Sequence, residues 1–178
     1  VGPARTVAGD SYSGNLNPDF HVRQHEGTLR VTLDLGLGTL NSYSNYIHLK
    51  PLFDSDYDGT LVNFLRIRST FDRKTFIESF DFTMQPTPAL TLVAGGLYYD
   101  DDASSQTATF SLGNALPITR SRQESKAYAV FGDVTWEAAP GLFVNAGLRY
   151  SYEKKRMSAT ALGTEVPRAS FDSVTPKA

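Results

Sequence analysis

The sequence predicts an all-β protein, an antiparallel up-and-down segment of a transmembrane β-barrel. Three observations carry this. Apolar and polar residues alternate with a period of two in several runs, short turns alternate with long polar connections, and tyrosine and tryptophan fall near strand ends. Bulk composition fits: in 178 residues, 40% are apolar and 12% aromatic, and no run approaches the ~20 apolar residues of a spanning helix. Barrel strands need only ~10 residues, apolar toward lipid and polar toward the lumen, which averages to a mildly hydrophilic chain.

Residues 1–27 are rich in Gly, Ser, Asn, Asp and Pro without apolar periodicity, and read as a loop-rich lead-in with at most one weak strand. Residues 28–178 read as the barrel portion. Leu29, Val31, Leu33 and Leu35 alternate with Thr28, Arg30, Thr32 and Asp34, which makes a strand with one apolar face. Gly36-Leu37-Gly38 supplies a tight turn, and residues 39–48 follow with the β-propensity of Tyr43, Tyr46 and Ile47. Asp54-Ser55-Asp56-Tyr57-Asp58-Gly59 reads as a polar connection, with a strand begun or continued over 61–67.

Within 74–84, Phe80, Phe82 and Met84 share one face against Ser79, Asp81 and Thr83, while Glu78 intrudes on the apolar side. Gln85-Pro86-Thr87-Pro88 is expected to end that strand, because proline cannot donate to a ladder. Residues 90–99 form the next strand, stopping at Asp100-Asp101-Asp102, whose carboxylates read as solvated charges at a membrane surface. Residues 100–123 read as a long loop with a β-ribbon near 107–112. A strand over 124–136, a turn at Ala138-Ala139-Pro140-Gly141 and a strand over 142–153 complete the pattern. In the last, Leu142, Val144, Ala146, Leu148, Tyr150 and Tyr152 oppose Phe143, Asn145, Gly147, Arg149, Ser151 and Glu153. Arg149 and Glu153 are expected inside, since a basic residue at mid-bilayer costs ~2–4 kcal/mol.

Long polar stretches begin near Pro51, Asp100 and Lys154, alternating with short turns. Outer-membrane barrels sort their loops this way, whereas a soluble sandwich has no reason to. The net charge of −2 and the lack of a basic stripe give no basis for nucleic-acid binding. Cysteine is absent, which removes disulfides, thiolate metal sites and cysteine nucleophiles. The start, Val1-Gly2-Pro3-Ala4-Arg5, has neither a basic n-region nor an apolar h-region, so an excerpt of a longer protein is expected.

Several residue groups, in order, resemble the TonB-dependent receptors. They are Gly38-Thr39-Leu40, the 54–59 acidic run, Glu78-Ser79-Phe80, Gly96-Leu97-Tyr98-Tyr99, Ala127-Tyr128-Ala129-Val130-Phe131-Gly132, Gly147-Leu148-Arg149-Tyr150-Ser151-Tyr152-Glu153, and Phe171-Asp172-Ser173-Val174-Thr175-Pro176-Lys177. The resemblance implies an outer-membrane barrel of about 22 strands filled by a plug. Transport in such receptors is driven by an inner-membrane TonB complex through a coupling peptide. This chain would supply roughly six to eight strands of the wall, with the plug and C-terminal strands elsewhere. The implied function is uptake of a ferric siderophore or similar scarce nutrient, with outer-membrane lipid or lipopolysaccharide and a small ferric chelate as partners. A small complete barrel acting as passive pore or adhesin, and a soluble all-β carbohydrate- or calcium-binding module, are the alternatives.

The chemical motifs are sparse. Asp54, Asp56 and Asp58 before Gly59 match the opening of a calcium loop, but position twelve is Leu65 instead of the bidentate glutamate, so solvated loop acids are preferred. Arg120, Arg122, Lys154, Lys155 and Arg156 lie in or beside expected external loops. They suit attraction of an anionic chelate, lipopolysaccharide phosphates, or plain solvation. His21, His25 and His48 lack metalloenzyme spacing, and no nucleophile elbow or phosphate-binding glycine pattern occurs. No catalytic residue and no cofactor are expected.

Overall fold

The computed structural model describes residues 5–7, 10–12, 17–159 and 164–177. Two three-residue strands, β1 (Arg5–Val7) and β2 (Asp10–Tyr12), pair with each other. Everything else is one antiparallel meander: β3 (Asp19–Asp34), β4 (Thr39–Asp56), β5 (Leu65–Thr87), β6 (Leu90–Ser111), β8 (Thr119–Ala139), β9 (Leu142–Ala159) and β10 (Thr164–Lys177), neighbours in sequence order. A two-residue β7 (Asn114–Ala115) folds back on the end of β6.

The short turns form where expected. Leu35 donates to the Gly38 carbonyl at 2.9 Å, and Gly36 takes φ +75°, which a side chain would resist. Pro140 and Gly141, the latter at φ +79°, supply the two central residues that a type II turn favours. At the third turn the difference is instructive. Pro86 lies inside β5, because the register shifts between Met84 and Thr87 and this irregularity spares proline the ladder bond it cannot make.

The long polar stretches are not loops. The strands run straight through them, so that β5 has 23 residues and β6 has 22. At ~3.3 Å per residue this is on the order of 70 Å, about twice what a bilayer crossing needs. The connection expected over 54–59 lies instead at 57–64, so the strand expected over 61–67 begins only at Leu65; the expected loop at 100–123 shrinks to its tip near Leu112–Ile118, and the stretch after Lys154 remains strand to Ala159. The expected lead-in likewise gives way to β3 at Asp19; its first part, apart from β1 and β2, lies outside the described residues. These extensions are largely polar on both faces, although Leu65, Ile67 and Phe71 share one face of β5. Hydroxyl pairs such as Ser69–Thr107 at 3.0 Å and Ser105–Ser121 at 2.7 Å join them across strands.

The sheet is a single layer. Among the described residues Ala129, 3% exposed, is the one buried hydrophobic, while Phe80, Val130 and Leu148 are half exposed. A soluble domain buries its apolar face against a second layer, and none covers this face among the described residues. Nor does the sheet close: β3 and β10 are its two edges and do not pair. The described strands are thus neither a small closed barrel nor a sandwich.

Candidate functional site: two faces of one wall

From the register shifts at Met84/Thr87 and Glu137/Ala139 up to the aromatic border the register is unbroken from β3 to β9, so each residue there is assigned to a face by its cross-strand partners. One row runs Val31, Ser42, Phe80, Gly96, Val130, Tyr150, Val174, and the row beside it runs Thr32, Asn41, Asp81, Gly95, Phe131, Arg149, Thr175. The first belongs to an apolar face that also carries Leu29, Leu33, Phe82, Leu92, Trp136 and Leu148; the second belongs to a polar face. Arg149 and Glu153 lie on the polar face, as the alternation requires.

The apolar face has a defined height. From Leu142 to Tyr152 it spans about ten residue steps, ~33 Å along the strand and ~23 Å along the normal at a tilt of ~45°. That matches the ~25 Å apolar band of an outer-membrane barrel. Its upper border is aromatic. Tyr98, Tyr128 and Tyr152 stand in one row, and Phe76 packs on Tyr98 with centroids 6.3 Å apart. Glu78 shares that row, and its two carboxylate oxygens accept from Ser42 and Ser44, the Ser42 bond being 2.8 Å. Placement at the border together with two hydroxyl donors explains how a carboxylate is tolerated on this face.

Two glycines allow the strands to be crowded. A Cβ on Gly95 would stand 2.6 Å from the Phe131 ring, and one on Gly96 would stand 3.0 Å from the Phe80 ring. Each aromatic side chain thus covers a neighbouring strand where no side chain competes, one on each face.

Above the border the sheet carries charge networks that the sequence did not reveal. On the polar face Asp101, only 4% exposed, accepts from Arg73 at 2.8 Å and Thr75 at 2.6 Å. Asp101 is therefore not a solvated strand terminator; strand alternation sends it to the face opposite Asp100 and Asp102. On the other face Asp72 binds His48 at 2.9 Å and Lys50 at 3.0 Å, and Asp102 takes a two-pronged contact from Arg122 at 2.9 and 2.7 Å. That fork holds the Asp102 carboxyl below its ordinary range against the opposing effect of burial.

The three acids of the 54–59 run go to three separate tasks. Asp54 is clamped by Arg66 at 2.8 and 2.6 Å, with Arg68 at 3.8 Å, and the Arg66 hydrogen bonds hold its carboxyl below the usual range. Asp56 accepts from the backbone of Asp58 and Gly59, shaping the turn. Asp58 accepts from the Thr60 amide at 2.9 Å, from its hydroxyl, and from the Leu65 amide. Among the described residues no three His, Cys, Asp or Glu side chains are grouped to hold a metal ion.

The five cations grouped by sequence sit on strands β8 and β9, not in loops, and they divide between the faces. Arg120, Arg122, Lys154 and Arg156 share the face of the apolar band, whereas Lys155 is on the polar face, 3.1 Å from Glu153. Alternation along β9 divides Lys155 from Lys154 and Arg156, and the register against β8 decides which face each takes.

The family model described as "TonB dependent receptor-like, beta-barrel" matches residues 2–178. Solved structures agree in fold. The ferric yersiniabactin uptake receptor FyuA from Yersinia pestis superposes with TM-score 0.70 at 13% identity, covering 89% of this chain and 25% of that one. The copper transporter OprC gives TM-score 0.70 at 14% identity over 93% and 28%. The ferric citrate transporter FecA gives 0.58 at 11% over 88% and 24%. The chain spans about a quarter of the length of these structures. No curated protein matches it in sequence. An open, single-layered meander with one apolar and one polar face, matched along nearly its whole length by that barrel model, places the chain in the TonB-dependent receptor family, as part of the β-barrel.

Proposed function

We propose that these strands form part of the wall of an active importer in the bacterial outer membrane, taking up a ferric siderophore or a similar scarce nutrient. The observation that carries the reading is the single-layered sheet, whose apolar face is one bilayer tall and bordered by aromatics, backed by a mixed face that carries Thr32, Asn41, Asp81 and Arg149 beside Leu97 and Phe131. Such a face is stable only against lipid, and its polar reverse then lines a lumen. The relatives in fold point to the cargo class: one is named for ferric yersiniabactin, one for ferric citrate and one for copper.

In this reading Arg149, Arg73–Asp101 and Asp81 face the passage or its plug, and the strand extensions rise as a rim above the membrane. Movement of cargo is coupled to the TonB complex through other parts of the receptor. No catalytic step is assigned to the chain.

The test is uptake of radiolabelled iron, presented as a panel of ferric chelates, by cells with and without the full-length receptor. Uptake of one chelate that requires the receptor and stops when the proton-motive force is collapsed is the expected result. Receptor-dependent permeation that persists without energisation would instead make the protein a passive pore.

A further inference from the structure

Above the aromatic border the two sides of the sheet exchange character on strands β3 to β5. The side that faces lipid lower down carries His48, Lys50, Asp54, Arg66 and Asp72 here, joined in ion pairs. The side that faces the passage carries Phe20, Val22, Leu49, Phe53 and Phe71. Phe20 stands directly opposite Phe53 and Val22 opposite Pro51, while Phe71 lies on β5 between Ser69 and Arg73, the partners of Phe53 and Leu49. The phenylalanines are exposed, Phe20 by 68% and Phe71 by 44%. Phe71 is seven residues beyond Glu78 of the border row, which at a tilt of ~45° sets it ~16 Å higher. A contiguous apolar surface kept in water marks a binding site, and no other strand among the described residues covers this one.

The apolar surface does not end at the rim. Leu49 and Ile47 carry it down β4 and Ile77 continues it on β5; Ile77 is opposite Tyr99, and Tyr99 is opposite Ala127. There the track opens into a hollow of about 420 Å³ at the level of the border, floored by Ala127 and Ala129 and walled by Leu97, Tyr99 and Phe171. The polar groups of the hollow are Arg149, Ser151, Glu153 and Ser173, with Asp172 at its margin. Most charges beside the track are already matched. Asp101 is held by Arg73 at 2.8 Å, Glu153 by Lys155 at 3.1 Å, and Glu26 by the Asn45 amide at 3.1 Å. Arg149 donates to the Ser151 hydroxyl at 3.0 Å and has no carboxylate within ion-pair distance among the described residues.

We propose that the cargo is an aryl chelate, a ferric complex whose ligand carries phenol-type rings and which bears a single net negative charge. The rim phenylalanines capture its rings, the track leads them down to the hollow, and Arg149 meets the charge there. The proposal rests on the importer reading and names the class of compound imported. A ring laid against Phe71 or Tyr99 gains from lost apolar exposure and from aromatic contact. A polycarboxylate chelate has no such surface to offer, and would shed its water against Phe and Leu with one free guanidinium to replace it.

The experiment uses the full-length receptor in detergent and measures, by equilibrium dialysis, the binding of two radiolabelled ferric chelates. One is the complex of bis(2-hydroxybenzyl)ethylenediamine diacetate and the other that of ethylenediamine tetraacetate. Both are singly anionic and share a diamine backbone; the first has two phenol rings where the second has carboxylates. The aryl chelate is expected to bind about tenfold more tightly. Phe71→Ser and Val22→Ser should each weaken it severalfold, and Arg149→Gln should weaken both chelates. Leu52→Ser, which removes apolar area from the opposite side at the same height, should change neither. Equal binding of the two chelates, binding of neither, or equal damage from Leu52→Ser and Phe71→Ser overturns the proposal. So does a Phe71→Cys that a water-soluble maleimide fails to reach in the ligand-free receptor, because another part of the receptor then covers the track. A nitroxide on Val130→Cys in liposomes separates the two levels. If it relaxes with lipid-soluble oxygen while the chelates bind alike, only the cargo class fails; if it is open to a water-soluble relaxant, the wall reading fails with it.

Discussion

Tyr128 stacks on Tyr152 across the β8–β9 seam, with ring centroids 5.1 Å apart and planes inclined by 28°. The pair is the best-formed contact in the aromatic border and also touches Tyr150, 6.4 Å from Tyr128. Aromatic pairs of this geometry add ~0.5–1.5 kcal/mol beyond area burial. Tyr128→Ala is expected to lower folding stability in lipid by about 1–2 kcal/mol, and Tyr128→Phe by much less. Denaturant midpoints of the receptor in liposomes read this directly.

The assignment of faces makes a sharper prediction. Leu148 is on the apolar face near the middle of the band, and Ser151 is on the polar one. Leu148→Arg should cost ~2–4 kcal/mol of stability in a bilayer, whereas Ser151→Arg should cost less than about 1 kcal/mol. The same denaturation series, with both variants costing alike, would reverse or abolish the assignment.

Gly96 is occupied from above by Phe80. Gly96→Ala places a methyl 3.0 Å from the ring and 3.3 Å from the Ala129 carbonyl, and is expected to destabilise by about 1–3 kcal/mol. Shortening the ring should relieve the crowding, so the Gly96→Ala/Phe80→Leu double variant should lose less than the sum of its parts. A double-mutant cycle measures the coupling.

The clamp on Asp54 gives a pH dependence whose sign follows from its direction. Arg66 lowers the carboxyl's pKa in the folded state, so its stabilising effect is complete above the unfolded value of ~3.9 and is lost as pH falls through the lower folded value. Hydrogen exchange at the upper ends of β4 and β5 should therefore be flat through neutral pH and rise only below about pH 4. With Arg66→Gln, exchange there should be faster at pH 7 and the acid-dependent part smaller.

Asp101 is nearly buried against Arg73. Asp101→Asn leaves the guanidinium without its carboxylate, and because Arg73 itself is half exposed the expected cost is about 1–3 kcal/mol, not that of a fully buried pair. Arg73→Met should be the worse variant, since it strands the carboxylate. Relative melting temperatures of the two variants test the order.

What the sequence determined by itself is the part governed by the period of two. Leu142 through Glu153 could be assigned to faces residue by residue, because a strand against lipid must alternate and because Arg149 and Glu153 have only one affordable side. The turns at Gly36 and Gly141 were equally legible, since few other residues tolerate their backbone angles. The tertiary structure decided everything above the aromatic border. There both faces meet water, so alternation carries little signal, and residues 100–106 read as loop although they are strand. Backbone pairing with β5 and β8 holds them, and that pairing lies in the neighbours' register. The same register set Asp101 beside Arg73 and decided which face Lys154 takes and which Lys155, because in a two-sided polar sheet only the partner strand fixes which way a side chain turns.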